Sequence, residues 1–227
     1  MGWKRARQPE QKLQRRDAIM RAAAELLDAR GLAEASLSAI ARASRISKAN
    51  IYRYFDSREA IFLELLIVEQ RAVIEAVERE LASQELAAGR ELERVADVVT
   101  DIIAGAPRYL ALISSMASVL EHNANVESIR GFKRRIVELN LRGVNALHAA
   151  LPWLPLAEAR RAMLHIFVYT SGLWPVANPS PAVREATDCD ELRGLRVDFR
   201  SALRDHMLLI LRGLRAERSP SAPPRPV

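Results

Sequence analysis

Cysteine is nearly missing from this chain. Cys189 is the only one in 227 residues, so no intramolecular disulfide can form and nothing in thiol usage points to an oxidising compartment. Set between Asp188 and Asp190, it reads as an ordinary loop thiol rather than a redox sensor. Long apolar runs are missing too: none approaches the ~20 residues of a membrane span. The first residues, MGWKRARQPEQ, lack a secretory apolar core, and Gly2 lacks the Ser or Thr that a myristoylation signal places downstream, so a cytoplasmic location is expected. Strand-like alternation is not convincing anywhere. There is no HExxH, no paired CxxC, no Gly-rich phosphate loop and no nucleophile elbow. The histidines, His122, His148, His165 and His206, stand far apart in sequence, with no metal-ligand spacing. No metal, cofactor or catalytic residue is therefore expected, and a helical enzyme built from distant, converging groups is the remote alternative.

What is present describes a globular protein with a substantial core: 49% apolar residues, 27% charged residues and a mean hydropathy of −0.07. The net charge of +6 is unevenly spread. Residues 1–55 hold twelve Lys/Arg against five acids, leaving 22 basic against 23 acidic in all that follows. Excess positive charge thus belongs to the N-terminal quarter, the footprint of a phosphate-binding surface. Within it, Lys4, Arg5 and Arg7 form a basic arm, suited equally to a DNA groove and to simple solvation.

The segment Ser36–Ala60, SLSAIARASRISKANIYRYFDSREA, packs two short helices around a tight bend. Ser36 stands as N-cap before Leu37, Ile40 and Ala41, and this first helix runs to about Ala43. Ser44, Arg45 and Ile46 form the bend, and Ser47 caps a second helix that turns Ile51 and Phe55 inward at i and i+4. Two helices in so few residues cross steeply, as in a helix-turn-helix. Lys48 and Asn50 on the first turn are able to donate to base edges or phosphates, Ala49 permits close approach, and Tyr52, Arg53 and Tyr54 add phenol and guanidinium groups.

SKANIYRYFDSREAI, with IARAS upstream, resembles the DNA-binding signature of the tetracycline-repressor (TetR) family: a Ser-Lys-small-polar-apolar-Tyr-x-Tyr/His-Phe run followed by a Ser/Asn-Lys/Arg-Glu helix start. The resemblance implies phosphate contacts from Ser36, Ser47, Tyr52, Tyr54 and Arg58, with Lys48, Ala49, Asn50 and Arg53 facing the major groove. It also implies three small helices for DNA and about six for ligand binding and dimerisation. Two positions depart from the pattern. Arg45 occupies the bend where the family usually has Gly, so the turn must either avoid a positive φ or accept its cost. Ala39 replaces the usual acid three residues after the cap, leaving only the Ser36 half of a capping box.

The remaining sequence reads as helices throughout, so the expected fold is all-α: an N-terminal three-helix helix-turn-helix domain joined by a long helix to a C-terminal bundle of about six helices. The first helix starts near Pro9 and ends at Gly31; the long one runs from Asp56 or Ser57 to about Leu86. Further segments follow at about 91–104, 107–120, 126–151, 156–174 and 189–215, separated by Gly, Pro and Asn clusters. The domain reading is a basic arm at 1–8, a helix-turn-helix domain at 9–56, a ligand-binding and dimerisation domain at 57–216 and a Pro-rich, disordered tail at 217–227.

Candidates for a ligand pocket are the large groups Tyr109, Met116, Phe132, His165, Tyr169 and Trp174, each of which also fits a plain core position. Candidates for a dimer seam on the last two helices are Ala162, Gly172, Met207, Ile210, Leu211 and Leu214. The expected partners are a palindromic double-stranded operator, a small apolar or amphipathic effector and a second copy of the chain, with no membrane. The expected function is a homodimeric repressor released by its effector. A regulator whose second domain only dimerises or docks a protein, and a transcriptional activator, are the alternatives.

Overall fold

Gly31 interrupts the first helix with φ 76° and ψ 171°, and the chain's arrangement starts from that kink. The computed structural model describes residues 3–83, 89–122 and 124–218. Helix α1 spans Trp3–Glu34, so its backbone begins six residues ahead of Pro9 and resumes for a short stretch beyond the kink. Its apolar stripe, Ile19, Ala22, Ala23 and Leu27, is buried. Helices α2 (Leu37–Ser44) and α3 (Lys48–Ile51) follow, then α4 (Arg58–Ala82), α5 (Glu91–Ala104), α6 (Pro107–Ser115), α7 (Val126–Ala150), α8 (Leu156–Ala177), α9 (Pro181–Ala186) and α10 (Phe199–Arg218). Among the described residues the fold is all-α, ten helices and no strand. No single helix there is long and apolar enough to cross a membrane. The proline-rich end beyond Arg218 lies outside the described residues, as do residues 84–88, on which the expected end of the long helix falls.

The chain divides into two compact units, and the division falls inside α4 and α7. The first unit holds α1–α3, α4 as far as Arg71, and residues 107–137; the second holds Ala72–Ala106 and everything from Glu138. In the first, Ile61, Phe62, Leu63, Leu65, Leu66 and Ile67 are all buried, so this part of α4 is enclosed on nearly every side. Arg108, at the start of α6, ties three helices together. It donates to both carboxylate oxygens of Asp28 (3.0 and 2.5 Å) and to Glu69 (2.7 Å), which raises its already high pKa.

The second unit is organised around α10. Arg200, Arg204 and Arg212 pair with Asp101, Asp97 and Glu93 on α5, an order that makes the two helices antiparallel. Beneath these surface pairs, Leu203, Met207, Leu211 and Leu214 supply the buried seam, and the Thr100 hydroxyl meets the Met207 sulfur at 3.7 Å. Helix α8 lies on the same α10, also antiparallel: Trp174 meets Phe199 edge to face at 5.3 Å, Tyr169 stacks on His206 at 3.7 Å, and Arg161 reaches Glu217. Burial pushes the His206 pKa down, and neighbouring His165 adds to that. Gly143 of α7 is the notch of this unit. A Cβ there would lie 2.9 Å from both Ile74 Cδ1 and Met163 Cε.

Helix α8 carries on through Pro175, past its expected end at Trp174. A proline in the last turn forfeits a single main-chain bond, a small loss where the helix is ending. Helix α9 fills part of a stretch that reads as loop, capped by Ser180 with Pro181 at the first helical position. The final helix begins at Phe199, ten residues later than Cys189.

Candidate nucleic-acid interface

Two serine caps and one left-handed residue shape the helix-turn-helix. The Ser36 hydroxyl accepts from the Ala39 amide at 3.2 Å, and the Ser47 hydroxyl accepts from the Asn50 amide at 3.3 Å. Between them Arg45 adopts φ 57°, ψ 28°, and its N–H reaches the carbonyls of Ala41 and Arg42, closing α2. The bend therefore takes the left-handed geometry despite having a side chain there. Regular helix in α3 is short, but main-chain bonds from Tyr52 to Lys48, from Tyr54 to Ile51 and from Phe55 to Ile51 carry the turn onward to Phe55.

Burial sorts this segment by face. Ile51 is fully buried and Phe55 nearly so, whereas Ser47, Lys48, Ala49, Asn50, Tyr52 and Arg53 are exposed, and Tyr54 is half-buried. Tyr52 leaves 55% of its surface in solvent, unusual for an aromatic without a partner. Ser36 is also exposed. Arg58 behaves differently from the rest of the expected set. Its guanidinium donates to the Leu32 carbonyl at 3.0 Å and lies over the Phe62 ring, so it serves as an internal tie to the end of α1. The capping question at α4 resolves to Ser57, whose hydroxyl accepts from the Ala60 amide at 3.0 Å. Asp56 instead accepts from Asn125 and Ser128 at the start of α7.

Two cationic residues join the surface unannounced by the motif. Lys12 and Arg15 of α1, with Arg53 and Tyr54, line an open recess of about 400 Å³. Gln11 completes the wall, and among the described residues no carboxylate lines it, which favours an anion there. One turn spacing on α1 puts Lys12 and Arg15 on one face, which is the signal a motif search passes over.

Behind this surface sits a charged node. Glu64 Oε1 takes Arg16 at 3.0 Å and Arg135 at 2.6 Å, while the Arg16 guanidinium also lies 5.1 Å from the centre of the Phe55 ring. Burial pushes the Glu64 carboxyl up, but hydrogen bonds and charge from Arg135 and Arg16 outweigh it and hold the group below the usual carboxylate range. The recognition turn is thus backed by a half-buried ion triad that leans on its own buried Phe55.

The six pocket candidates are distributed over both units. Tyr109, Met116 and Phe132 belong to the first unit and are buried, with the Tyr109 phenol pushed up by desolvation. Phe132 borders a cleft of about 230 Å³ beside Tyr54 and Phe55. In the second unit Tyr169 and Trp174 are engaged with α10, and His165 is exposed. Of the dimer candidates, Ala162, Met207, Leu211 and Leu214 are buried in the second unit's own core, Ile210 is half-exposed, and Gly172 faces open space.

Comparison with known proteins agrees with this geometry. Residues 19–65 match the model described as bacterial regulatory proteins, tetR family, and residues 68–218 match that described as tetracyclin repressor-like, C-terminal domain. No curated protein sequence matches the chain. Among solved structures, Thermus thermophilus FadR, a TetR family transcriptional repressor in complex with lauroyl-CoA, shares 21% identity with a TM-score of 0.60, covering 93% of this chain and 99% of that one. A possible TetR family regulator from Streptomyces coelicolor A3(2) shares 20% identity with a TM-score of 0.59, covering 89% and 100%. The fatty acid degradation regulator FadR from Bacillus halodurans shares 14% with a TM-score of 0.52, covering 85% and 97%. These likenesses extend over both units, and together with the family models, which span most of the sequence, they establish that the chain belongs to the TetR family of DNA-binding transcriptional regulators.

Proposed function

We propose that the protein is a homodimeric repressor that holds a palindromic operator in the cytoplasm and lets go when an amphipathic small molecule binds its second unit. The observation that carries DNA contact is the exposed Ser47–Asn50 turn beside a recess bordered by Lys12, Arg15 and Arg53 with no acid among them. On this reading Lys48, Ala49, Asn50 and Arg53 meet base edges. Ser36, Ser47, Tyr52, Tyr54, Lys12 and Arg15 meet phosphates, and Arg58 acts inside the fold.

Self-association is supported by an outward apolar ridge. Leu164 and Val168 are 60% and 59% exposed, Gly172 is open, and Val176 follows at the same four-residue step along α8. On α10, Leu209 is 70% exposed and Gly213 is open. Ridges of i±4 spacing interleave between helices, glycines let them approach, and an isologous pair brings two recognition turns to successive grooves roughly 34–36 Å apart.

A groove of about 620 Å³ in the second unit, with Leu81, Ala146, Ala149 and Pro152 beside Glu78, Arg142 and Asn145, has the size and mixed lining of a small-molecule site. The repressor from Thermus thermophilus holds lauroyl-CoA, which makes that thioester the first probe. Release requires the effector to favour the form that does not bind DNA, since only differential affinity shifts such an equilibrium.

The test begins by selecting bound fragments from the source genome with purified protein and measuring affinity by fluorescence anisotropy. Lys48→Ala, Tyr54→Phe and the pair Lys12→Ala/Arg15→Ala should each weaken binding, the first by about tenfold given ~1–3 kcal/mol per good base contact. Parent-like affinity in all three would sink the contact assignment. Lauroyl-CoA should then release the fragment; failure of a panel of acyl thioesters and free fatty acids to do so would remove the amphipathic effector.

A further inference from the structure

The stretch between α8 and α10 is an ordered excursion without a core of its own. From residue 179 to residue 198 no side chain is buried. Local devices hold it instead: the Ser180 cap on Val183, the Thr187 hydroxyl donating to the Val183 carbonyl at 2.9 Å, and the ion pairs Arg193 to Asp190 and Arg196 to Asp188. Exposed pairs of this kind contribute little, so the excursion shows far less burial than an ordered segment usually needs. Yet it carries Val183 and Leu195, 50% and 63% exposed, on a cleft of about 740 Å³ that also takes in Pro175, Val176 and Val197.

Val176 belongs to this cleft and is also the last member of the outward ridge on α8. The cleft is therefore a continuation of the self-association face and not a separate feature. Size argues the same way. Six outward apolar or glycine positions on α8 and α10 are few beside the roughly 20–30 residues a side that a standard interface uses, and the twelve residues around the cleft supply much of the difference. Of the two arginines on the cleft, Arg196 is matched by Asp188 and Arg184 adds a single positive charge at a mainly apolar lining.

We propose that the α9 excursion is a docking surface for a second copy of this chain: Val183 and Leu195 of one protomer close over the end of the α8 ridge of the other, reciprocally across the two-fold axis. The claim rests on the homodimer reading above and extends it to a segment outside the paired α8 and α10 helices.

Sedimentation equilibrium of the full chain measures it. The pair Val183→Ser/Leu195→Ser should weaken the dimer at least tenfold while leaving the circular dichroism melt of the monomer unchanged, and Leu164→Ser/Val168→Ser should weaken it as well. A photo-reactive phenylalanine at position 195 should form covalent dimers whose crosslinked peptide comes from α8 of the other chain. A parent protein that is monomeric at all concentrations overturns the homodimer reading itself. A dimer broken by the α8 pair but indifferent to the α9 pair overturns only the docking claim. So would crosslinks confined to one chain, or a cleft that binds an apolar dye in the intact dimer and loses it in Val183→Ser/Leu195→Ser without any change in dimer affinity.

Discussion

Two glycines twelve residues apart on α7 should respond differently to the same substitution. Gly→Ala in a helix interior gains about 1 kcal/mol in propensity, through lower chain entropy in the unfolded state and better shielding of the backbone. At Gly131 nothing stands within 4 Å of an added Cβ, so the full gain should appear. At Gly143 the same methyl meets Ile74 Cδ1 and Met163 Cε at 2.9 Å each. Normal carbon contacts lie near 3.5–4.0 Å, so both neighbours must retreat, and overpacking of a buried site costs about 1–3 kcal/mol. The clashing atoms are ends of flexible side chains, which favours the lower half of that range. Gly143→Ala should therefore come out between neutral and about 1 kcal/mol destabilising, and Gly131→Ala about 1 kcal/mol stabilising. For a chain of this size that separates the two melting temperatures by roughly 2–8 °C. Differential scanning calorimetry at one protein concentration reads the difference. Equal melting temperatures would show that Ile74 and Met163 do not fill the notch, and the packing of α4, α7 and α8 in the second unit would need to be redrawn.

Arg45→Gly should stabilise modestly, because relief of about 1–2 kcal/mol of left-handed cost exceeds the roughly 0.5–1 kcal/mol of added chain entropy; a lower urea midpoint than the parent would contradict the bend geometry. Glu64→Gln should cost about 1–3 kcal/mol at neutral pH, since two half-buried guanidiniums lose their charged partner. The Glu64 carboxyl is held below its ordinary value, so its contribution is complete above the unfolded-state pKa and fades as pH falls through the folded one. Urea titrations at falling pH should accordingly show the variant losing less stability than the parent on the acid limb; parallel curves would refute the triad. His206 carries the opposite bias for a base: burial and then His165 depress its pKa, so folding favours the neutral ring. Stability should fall as pH drops below the unfolded histidine value of about 6.5, and His206→Gln should flatten that part of the profile measured by thermal melts.

The helix-turn-helix was readable because its determinants are local. Ser36, Ser47, Ile51 and Phe55 each act within one turn of themselves, and the atypical Arg45 declared its own problem. Segment α5 could be placed to the residue because Gly105 and Pro107 punctuate it. The tie from Arg58 to α1 was not readable, since its partner is a carbonyl 26 residues away. The last two helices show another limit. An apolar seam such as Met207, Leu211 and Leu214 looks the same whether it meets a sister chain or the chain's own α5, and here it is buried at home. The outward ridge, Leu164, Val168, Gly172 and Val176, is weaker as a pattern because all but Leu164 are small or β-branched. Helix α9 was hidden by its own cap: Ser180–Pro181 starts a helix as well as it marks a loop.

Ionic strength separates two kinds of positive charge in the first unit. Lys12, Arg15, Lys48 and Arg53 are exposed, and for each phosphate they neutralise the logarithm of affinity should fall by about 0.9 per decade of salt as counterions are released. Arg16 and Arg135 are spent on Glu64, whose side chain keeps only 19% of its surface in water, and pairs so sheltered are screened far less. Added salt should thus strip the operator from the protein well before it loosens the support behind Phe55. The slope of a salt titration then counts phosphates, undistorted by a recognition turn that is itself coming apart.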